Sequence, residues 1–383
     1  MKEYTDKRVL VTGGTGFIGS RLAERLALEE QAVVKVLVHN WPKATWISRA
    51  NVTLIQGDIT NFSDVEKAIE GMEIVFHCVG VGGTLEHCMK VNVEGTKNVL
   101  NACKKYNVKR IVYFSTSAIH GSFVHEGLNE KEPYKSEGNP YADSKIEAEK
   151  LFIQFIKENE VEGTIIRPTY VWGPCSPWYT VEFVNLMQNG KFFLIDRGKG
   201  ACNVVYIDNV VDLALICGYH SRAKGEIFLI TDGERIVWRD FFSYYADIVK
   251  IDINKLPSFG LGLTSIMKQK IGRITKSPFI LFYKIFNNYI KKHDNADAII
   301  IKYLFKAPRR LNSIIISLLN KIFPDRPSQW ELDRYSSNGF INLEKSKELL
   351  NYIPKVSVSQ GMNVCEIWLR DQNYLISMKS TND

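Results

Sequence analysis

Tyr141 and Lys145, in the run Asn139-Pro140-Tyr141-Ala142-Asp143-Ser144-Lys145, have the types and spacing to move a proton to or from an alcohol. After an Asn-Pro helix start, residues four apart share one helix face, where the ammonium favours the phenolate and eases proton transfer. A free phenol titrates near ~10, too high for a base at neutral pH without such help. Taken alone, a Tyr and a Lys at this spacing are more often part of an amphipathic surface. Upstream lies the glycine-rich run Thr12-Gly13-Gly14-Thr15-Gly16-Phe17-Ile18-Gly19. The two together point to redox chemistry at a hydroxyl or carbonyl carbon.

Both features need elements to place them. The glycine run follows Arg8-Val9-Leu10-Val11, apolar enough for a buried parallel strand, and leads into a helical pattern over 21–28. Strand, glycine turn and helix come in the order a dinucleotide site requires. Gly13 permits the tight turn, Gly16 admits the pyrophosphate to the backbone, and Gly19 allows close helix packing at the positive helix N-terminus. Further strands are expected at 33–38, 53–56, 74–77, 110–114 and 163–167. Helices are expected at 63–69 with Ser63 as N-cap, at 93–106, and from Tyr141 to about residue 157. This alternation predicts an α/β fold, a Rossmann-type doubly wound parallel sheet with its ligand crevice at the carboxyl ends of the strands. Thr116, just past the fifth strand, falls in that crevice.

These residues resemble the extended short-chain dehydrogenase/reductase family, which includes nucleotide-sugar epimerases, dehydratases and reductases and the 3β-hydroxysteroid dehydrogenases. The anchors are the glycine run, Gly57-Asp58-Ile59, Asn92-Val93-Glu94-Gly95-Thr96, Phe114-Ser115-Thr116-Ser117, Tyr141 to Lys145, and Arg167-Pro168 followed by Val171-Trp172-Gly173-Pro174. The resemblance covers most of residues 7–250 and returns near the C-terminus. It implies an NAD(P)-binding domain over 1–175. Residues 176–383 would then form a smaller, mainly helical substrate lobe interleaved with returning sheet elements.

By position, the resemblance makes Tyr141 the proton donor or acceptor, Lys145 the residue that holds the nicotinamide ribose and lowers the phenol pKa, and Thr116 the partner of the reacting oxygen. Ser117 is the fallback for Thr116, because hydroxyls stand at 115, 116 and 117. Gly13, Gly16, Phe17, Ile18 and Gly19 would meet the cofactor pyrophosphate, Asp58 and Ile59 would border the adenine, and Val79 and Pro168 would flank the bound dinucleotide. Family 4,6-dehydratases place an Asp-Glu pair after the threonine; here Ser117-Ala118 stand there, which disfavours water elimination. At the end of the second strand, His39-Asn40-Trp41-Pro42-Lys43 offers no acid for ribose hydroxyls, while Lys43 suits a 2′-phosphate, so the cofactor choice leans from NAD to NADP(H).

The implied reaction is hydride transfer at a secondary alcohol or ketone, on a nucleotide- or lipid-linked sugar, with a 3β-hydroxysteroid-type lipid alcohol as the alternative. A cofactor-binding scaffold or sensor without turnover is the reading from another class. A homodimer is expected from the resemblance alone.

Composition bounds the rest. At 383 residues and 45% hydrophobic, the chain can bury a substantial core. No apolar signal region follows Met1-Lys2, so a cytoplasmic protein is expected. Seven cysteines without a CxxC indicate neither a disulfide framework nor a zinc site. Residues 255–326 hold fourteen Lys and Arg against three Asp and no Glu, more positive than the +7 of the whole chain, so the remainder is net acidic. Their apolar runs are too short to span a bilayer but fit amphipathic helices on an anionic membrane surface; a solvated face of the substrate lobe is the competing reading. Peripheral attachment to the inner membrane face is the corresponding expectation. Nothing resembles a nucleic-acid-binding signature.

Overall fold

The structure, a computed structural model, describes residues 3–159, 161–259 and 327–375. Most of the basic segment, 260–326, therefore lies outside the described residues, and with it the expected amphipathic membrane surface.

Among the described residues the strands are β1 (Arg8–Thr12), β2 (Val33–Val38), β3 (Val52–Gln56), β4 (Ile74–His77), β5 (Arg110–Phe114), β6 (Glu162–Pro168), β7 (Tyr170–Trp172), β8 (Leu194–Ile195), β9 (Val204–Tyr206), β10 (Ile227–Ile230) and β11 (Ser258–Phe259). The α-helices are α1 (Phe17–Leu28), α2 (Phe62–Ile69), α3 (Leu85–Cys88), α4 (Gly95–Lys105), α5 (Pro140–Glu158), α6 (Glu182–Gln188), α7 (Ile207–Tyr219), α8 (Trp238–Ile248), α9 (Gln329–Ser336), α10 (Glu344–Leu350) and α11 (Val358–Asp371).

Seven strands make one parallel sheet in the order β10-β6-β5-β4-β1-β2-β3. The chain winds outward from β1 through β2 to β3, then returns to place β4 on the other side of β1. Loops after β1 and β4 thus diverge and leave a crevice at their carboxyl ends, where doubly wound sheets bind ligands. Two short parallel pairs, β7 with β9 and β8 with β11, lie outside this sheet.

Side chains alternate across the sheet because successive residues of a strand face opposite ways. Val9 and Val11 pack with Leu22, Leu26 and the α7 residues Val210 and Ala214 in one buried layer. Leu10, Val75, Ile111 and Tyr113 pack with Val65, Val99 and Phe152 from α2, α4 and α5 in the other. Both faces of the strands are therefore apolar, as a parallel sheet requires.

Local expectations differ in detail. Helix α2 begins one residue early, and its cap is Asn61, whose side chain accepts from the Ser63 amide at 3.0 Å, in place of Ser63. The asparagine oxygen reaches the second helical amide better than a serine already inside the turn. The helix expected at 93–106 starts upstream, at Leu85, and passes through a π-helical turn, Met89–Glu94, before α4.

Candidate functional site

At the crevice, the glycine turn leaves β1 with Gly13 at φ +70°, where a side chain is strained, and a Cβ there would meet Val79 N at 2.9 Å. A Cβ at Gly19 would stand 2.3 Å from the Gly13 carbonyl oxygen, so α1 can approach the turn only as glycine. Gly16 caps α1 without a side-chain hydrogen bond, and the first turn carries no acid. Neither a capping side chain nor a first-turn acid thus takes up the positive end of α1, the arrangement that suits a pyrophosphate. Phe17 and Ile18 are half-buried and pack on the core, fixing where this turn points.

The loop after β4 runs beside the glycine turn and is tied to α5. Asn92, buried in the π-helical turn, donates to Val81 O at 2.9 Å and to Ser144 Oγ at 2.8 Å, and accepts from Val81 N at 2.9 Å. Sequence reasoning read Asn92 only as a family anchor; here it clamps three elements. Helix α5 is capped by Asn139, whose oxygen accepts from Tyr141 N at 3.0 Å and Ala142 N at 3.2 Å, with Pro140 at its first position. That start sets the phase of the helix, so Tyr141 and Lys145 face the loop together. They converge on Gly80: a Cβ there would lie 3.8 Å from the phenolic oxygen and 4.0 Å from the Lys145 ammonium.

Lys145 is 1% exposed. Its ammonium donates to Phe114 O at 2.6 Å and to Val79 O at 3.4 Å, and lies 4.3 Å from the centre of the Tyr113 ring. Burial pushes it down to about 7, while Glu149, one turn further along α5, pulls the other way. Burial pushes the Tyr141 phenol up to about 12, and the Thr116 hydroxyl beside it draws it down. Thr116 caps the turn that follows β5, accepting from Ala118 N at 3.2 Å. Thr116 is thus the hydroxyl beside the phenol, and Ser117 is half-buried within the turn.

Beneath this cluster His77 is buried between Thr12 Oγ1 at 2.7 Å and Thr96 Oγ1 at 2.9 Å, and Thr96 donates onward to Asn92 O at 2.6 Å. With the Thr96 proton so committed, His77 Nε2 must be the donor and Nδ1 the acceptor. Burial first, and Lys145 second, push this imidazole down to about 3, so it is neutral and links β1, β4 and α4 without charge.

The remaining candidates stand at the ends of β2, β3 and β6. His39 Nδ1 and Asp58 Oδ2 are 3.8 Å apart at the exposed ends of β2 and β3. Burial works to raise the Asp58 carboxyl, but Thr60 N–H at 2.8 Å and Thr60 hydroxyl at 2.9 Å hold it below its ordinary value, with His39 and Lys90 adding to this. Ile59 is buried against Gly95, and Lys43 is exposed on the turn Trp41–Ala44. Pro168 is buried as the last residue of β6.

One buried network was missed by sequence reasoning. Arg167 and Glu149, 2% and 0% exposed, form a salt bridge, with Arg167 Nε 3.2 Å from Glu149 Oε1. Arg167 also donates to Glu130 O at 2.9 Å and lies 3.2 Å from His120 Nε2, and Tyr134 donates to Glu149 at 3.0 Å. Glu149 stands four residues after Lys145 on α5, a spacing that could have flagged it. Among the described residues no group of three or more His, Cys, Asp or Glu is placed to hold a metal ion, and no helix is long and apolar enough to cross a membrane.

Comparison with known proteins places these motifs in a lineage. The model of the 3-beta hydroxysteroid dehydrogenase/isomerase family matches residues 10–252. A 2-alkyl-3-oxoalkanoate reductase from Shewanella oneidensis is 30% identical over 59% of this chain and 62% of its own length. A UDP-glucose 4-epimerase from Vibrio cholerae is 30% identical over 60% of the chain and 72% of its own length, and an Arabidopsis thaliana 3beta-hydroxysteroid-dehydrogenase/decarboxylase is 29% identical over 62% and 60%. The match thus spans about three-fifths of the reductase and of the plant enzyme. Among solved structures, a Thermotoga maritima UDP-glucose 4-epimerase with UDP-glucose superposes with a TM-score of 0.69 at 22% identity, covering 96% of this chain and 99% of that one. A Bacillus cereus UDP-glucuronic acid 4-epimerase in complex with NAD gives 0.69 at 18%, covering 96% and 99%. These two likenesses establish the fold.

Proposed function

The chain belongs to the 3-beta hydroxysteroid dehydrogenase/isomerase family, and from that premise we propose that it is an NAD(P)-dependent oxidoreductase or epimerase acting on a secondary alcohol or ketone of a nucleotide- or lipid-linked sugar. The observation that carries this is the convergence of Tyr141 and Lys145 beside Gly80, with the Thr116 hydroxyl against the Tyr141 phenol, at the point where the strand order reverses.

The glycine turn and the uncapped start of α1 fit a dinucleotide. Gly13, Gly16, Phe17, Ile18 and Gly19 would hold its pyrophosphate, Asp58 and Ile59 would border the adenine, and Val79 and Pro168 would line its path. His39 and Lys43, with no acid at the end of β2, lean the choice to NADP(H) over NAD. The cofactor, when bound, accepts or delivers the hydride.

The residues of the chain handle the proton and the oxygen. A phenol at about 12 is protonated at neutral pH, so Tyr141 Oη is set to donate to the oxygen of a ketone being reduced. In the oxidative direction it takes the hydroxyl proton, and there the positive charge of Lys145 is needed to stabilise the phenolate. Thr116 Oγ1 steadies the reacting oxygen. An epimerase would return the hydride to the opposite face of the carbon.

Hydride transfer on a hydroxysteroid-type lipid alcohol is the second reading, favoured by the family whose model matches. The basic composition of 255–326 supports a peripheral seat on an anionic membrane surface in the cytoplasm, for either substrate. Salt-sensitive flotation with anionic but not neutral vesicles is expected, and flotation indifferent to salt and lipid charge would count against it.

Tyr141→Phe tests the chemistry itself. Turnover should fall by about 10²–10⁴-fold, the usual contribution of a general acid or base. Affinity for the nicotinamide cofactor, titrated by its fluorescence, should be retained. An unchanged rate overturns the assignment of Tyr141 as the proton donor and acceptor, whereas no turnover by the parent chain on any substrate would leave a cofactor-binding scaffold.

A further inference from the structure

Two demands on Lys145 conflict. Stabilising a phenolate at Tyr141 needs a charged ammonium, yet burial pushes that ammonium down to about 7. Its hydrogen bonds go to Phe114 O at 2.6 Å and Val79 O at 3.4 Å, and neither acceptor carries a formal charge. Glu149, one turn further along α5, is shared with Arg167 and Tyr134, so its pull on the ammonium is offset by the guanidinium.

The ammonium also faces a ring. Tyr113, on β5, is fully buried, and Lys145 Nζ stands 4.3 Å from its centre. The negative face of an aromatic ring attracts a cation within about 6 Å, most strongly where water is excluded. This ring is fixed by stacking on His77 and Phe152, with centres 5.5 Å and 5.1 Å away. Phe152 lies two turns past Lys145 on α5, so one helix face carries the ammonium and part of the wall that holds the ring. Phe114, whose carbonyl takes the shorter hydrogen bond, is the next residue of β5. The strand thus offers Lys145 a ring and a carbonyl from consecutive residues.

The other titratable groups around Lys145 supply no negative charge. His77, on β4, is neutral, and burial keeps the Cys78 thiol and the Tyr141 phenol protonated by pushing both up. Burial likewise holds the Tyr113 phenol well above its ordinary value, so this side chain acts on the cation as a neutral ring.

We propose that Tyr113 is a positioning residue for hydride transfer: its ring keeps the Lys145 ammonium in place and charged beside the Tyr141 phenol. The purpose of the contact rests on the hydride-transfer reading. Without the ring, burial acts on the ammonium with less opposition, and Lys145 is neutral in most molecules at pH 7.

The test needs no substrate. The full chain, labelled with 13C at lysine Cε, is titrated by NMR, and the Lys145 signal is identified by its loss in Lys145→Met. Tyr113→Leu should lower the Lys145 midpoint by about one pH unit, the size of a desolvated contact between a cation and a ring. Tyr113→Phe keeps the ring and should titrate like the parent. A role in packing alone predicts the opposite sign, because a smaller side chain admits water and lets the midpoint climb toward its ordinary 10.5. An unchanged or raised midpoint in Tyr113→Leu, or a fall in Tyr113→Phe as large as in Tyr113→Leu, overturns the proposal. Should Tyr113→Leu fail to fold, Tyr113→Met fills the gap with a flexible apolar chain and carries the same expectation. Binding of NADPH and NADH, followed by their fluorescence, separates the two readings. If either binds and the midpoint does not fall, only the role of the ring is lost; if the parent binds neither, the hydride-transfer reading falls and takes the purpose of the ring with it.

Discussion

Two buried arginines have surroundings that differ in kind. Arg167, at the end of β6, is met by Glu149, His120, the Glu130 carbonyl and, through Glu149, Tyr134. Arg334, on α9, is met by rings and two phenol oxygens, with no salt-bridge partner among the described residues. A fully paired arginine has no valence left for a ligand, so the β6 side is built as a support beneath Lys145. The α9 side holds its charge among aromatic rings and phenol oxygens instead. The same residue type at similar depth is thus held by an ion pair in one region and by aromatic rings in the other.

Breaking the paired side should give the largest effect. Glu149→Ala strands Arg167 in the interior, and removing one member of a buried pair costs about 3–5 kcal/mol. Urea unfolding is expected to show that loss; a change under about 1 kcal/mol would mean that water reaches Arg167 and that the pair is no support. Lys145 gives the next effect, visible in its pH dependence. Its ammonium titrates at about 7 in the fold against an ordinary value of 10.5. Between those values the unfolded chain binds more protons, so stability should rise as pH increases from about 7 toward 10.5, by at most a few kcal/mol. Lys145→Met should flatten this rise, and a profile identical to the parent would show that burial does not govern the ammonium. The smallest effect is expected from Arg334→Met. An apolar chain of similar length inside an aromatic cage should leave stability within about 1 kcal/mol of the parent, because replacing a buried charge by a packed apolar group is often neutral. A loss as large as that of Glu149→Ala would erase the contrast between the two arginines.

Legibility in the sequence followed the range of the interaction. Val33–Val38, Ile74–His77 and Arg110–Phe114 match the expected strands residue for residue, because short apolar runs between turn residues are local signals. The expected start of α2 missed by one residue, since Asn61 and Ser63 compete for the same cap and only the built turn shows which oxygen reaches the amide. Asn92 was visible as a motif, but not as the clamp that holds both Val81 and Ser144, the latter 52 residues past Asn92.

By itself, the sequence determined the glycine turn after the first strand, the α/β alternation, and the placing of Tyr141 and Lys145 on one helix face. Each follows from backbone geometry over a few residues: a positive φ that favours glycine, a period of two in strands, a period of 3.6 in helices. Only the tertiary structure decided that Lys145 would donate to Phe114 O and Val79 O, that Glu149 would meet Arg167, and that Arg334 would reach Tyr179, 155 residues away. Those outcomes depend on which distant segments share the interior. Burial there sets the charge state of Lys145 and the aromatic surroundings of Arg334, and no local pattern records either.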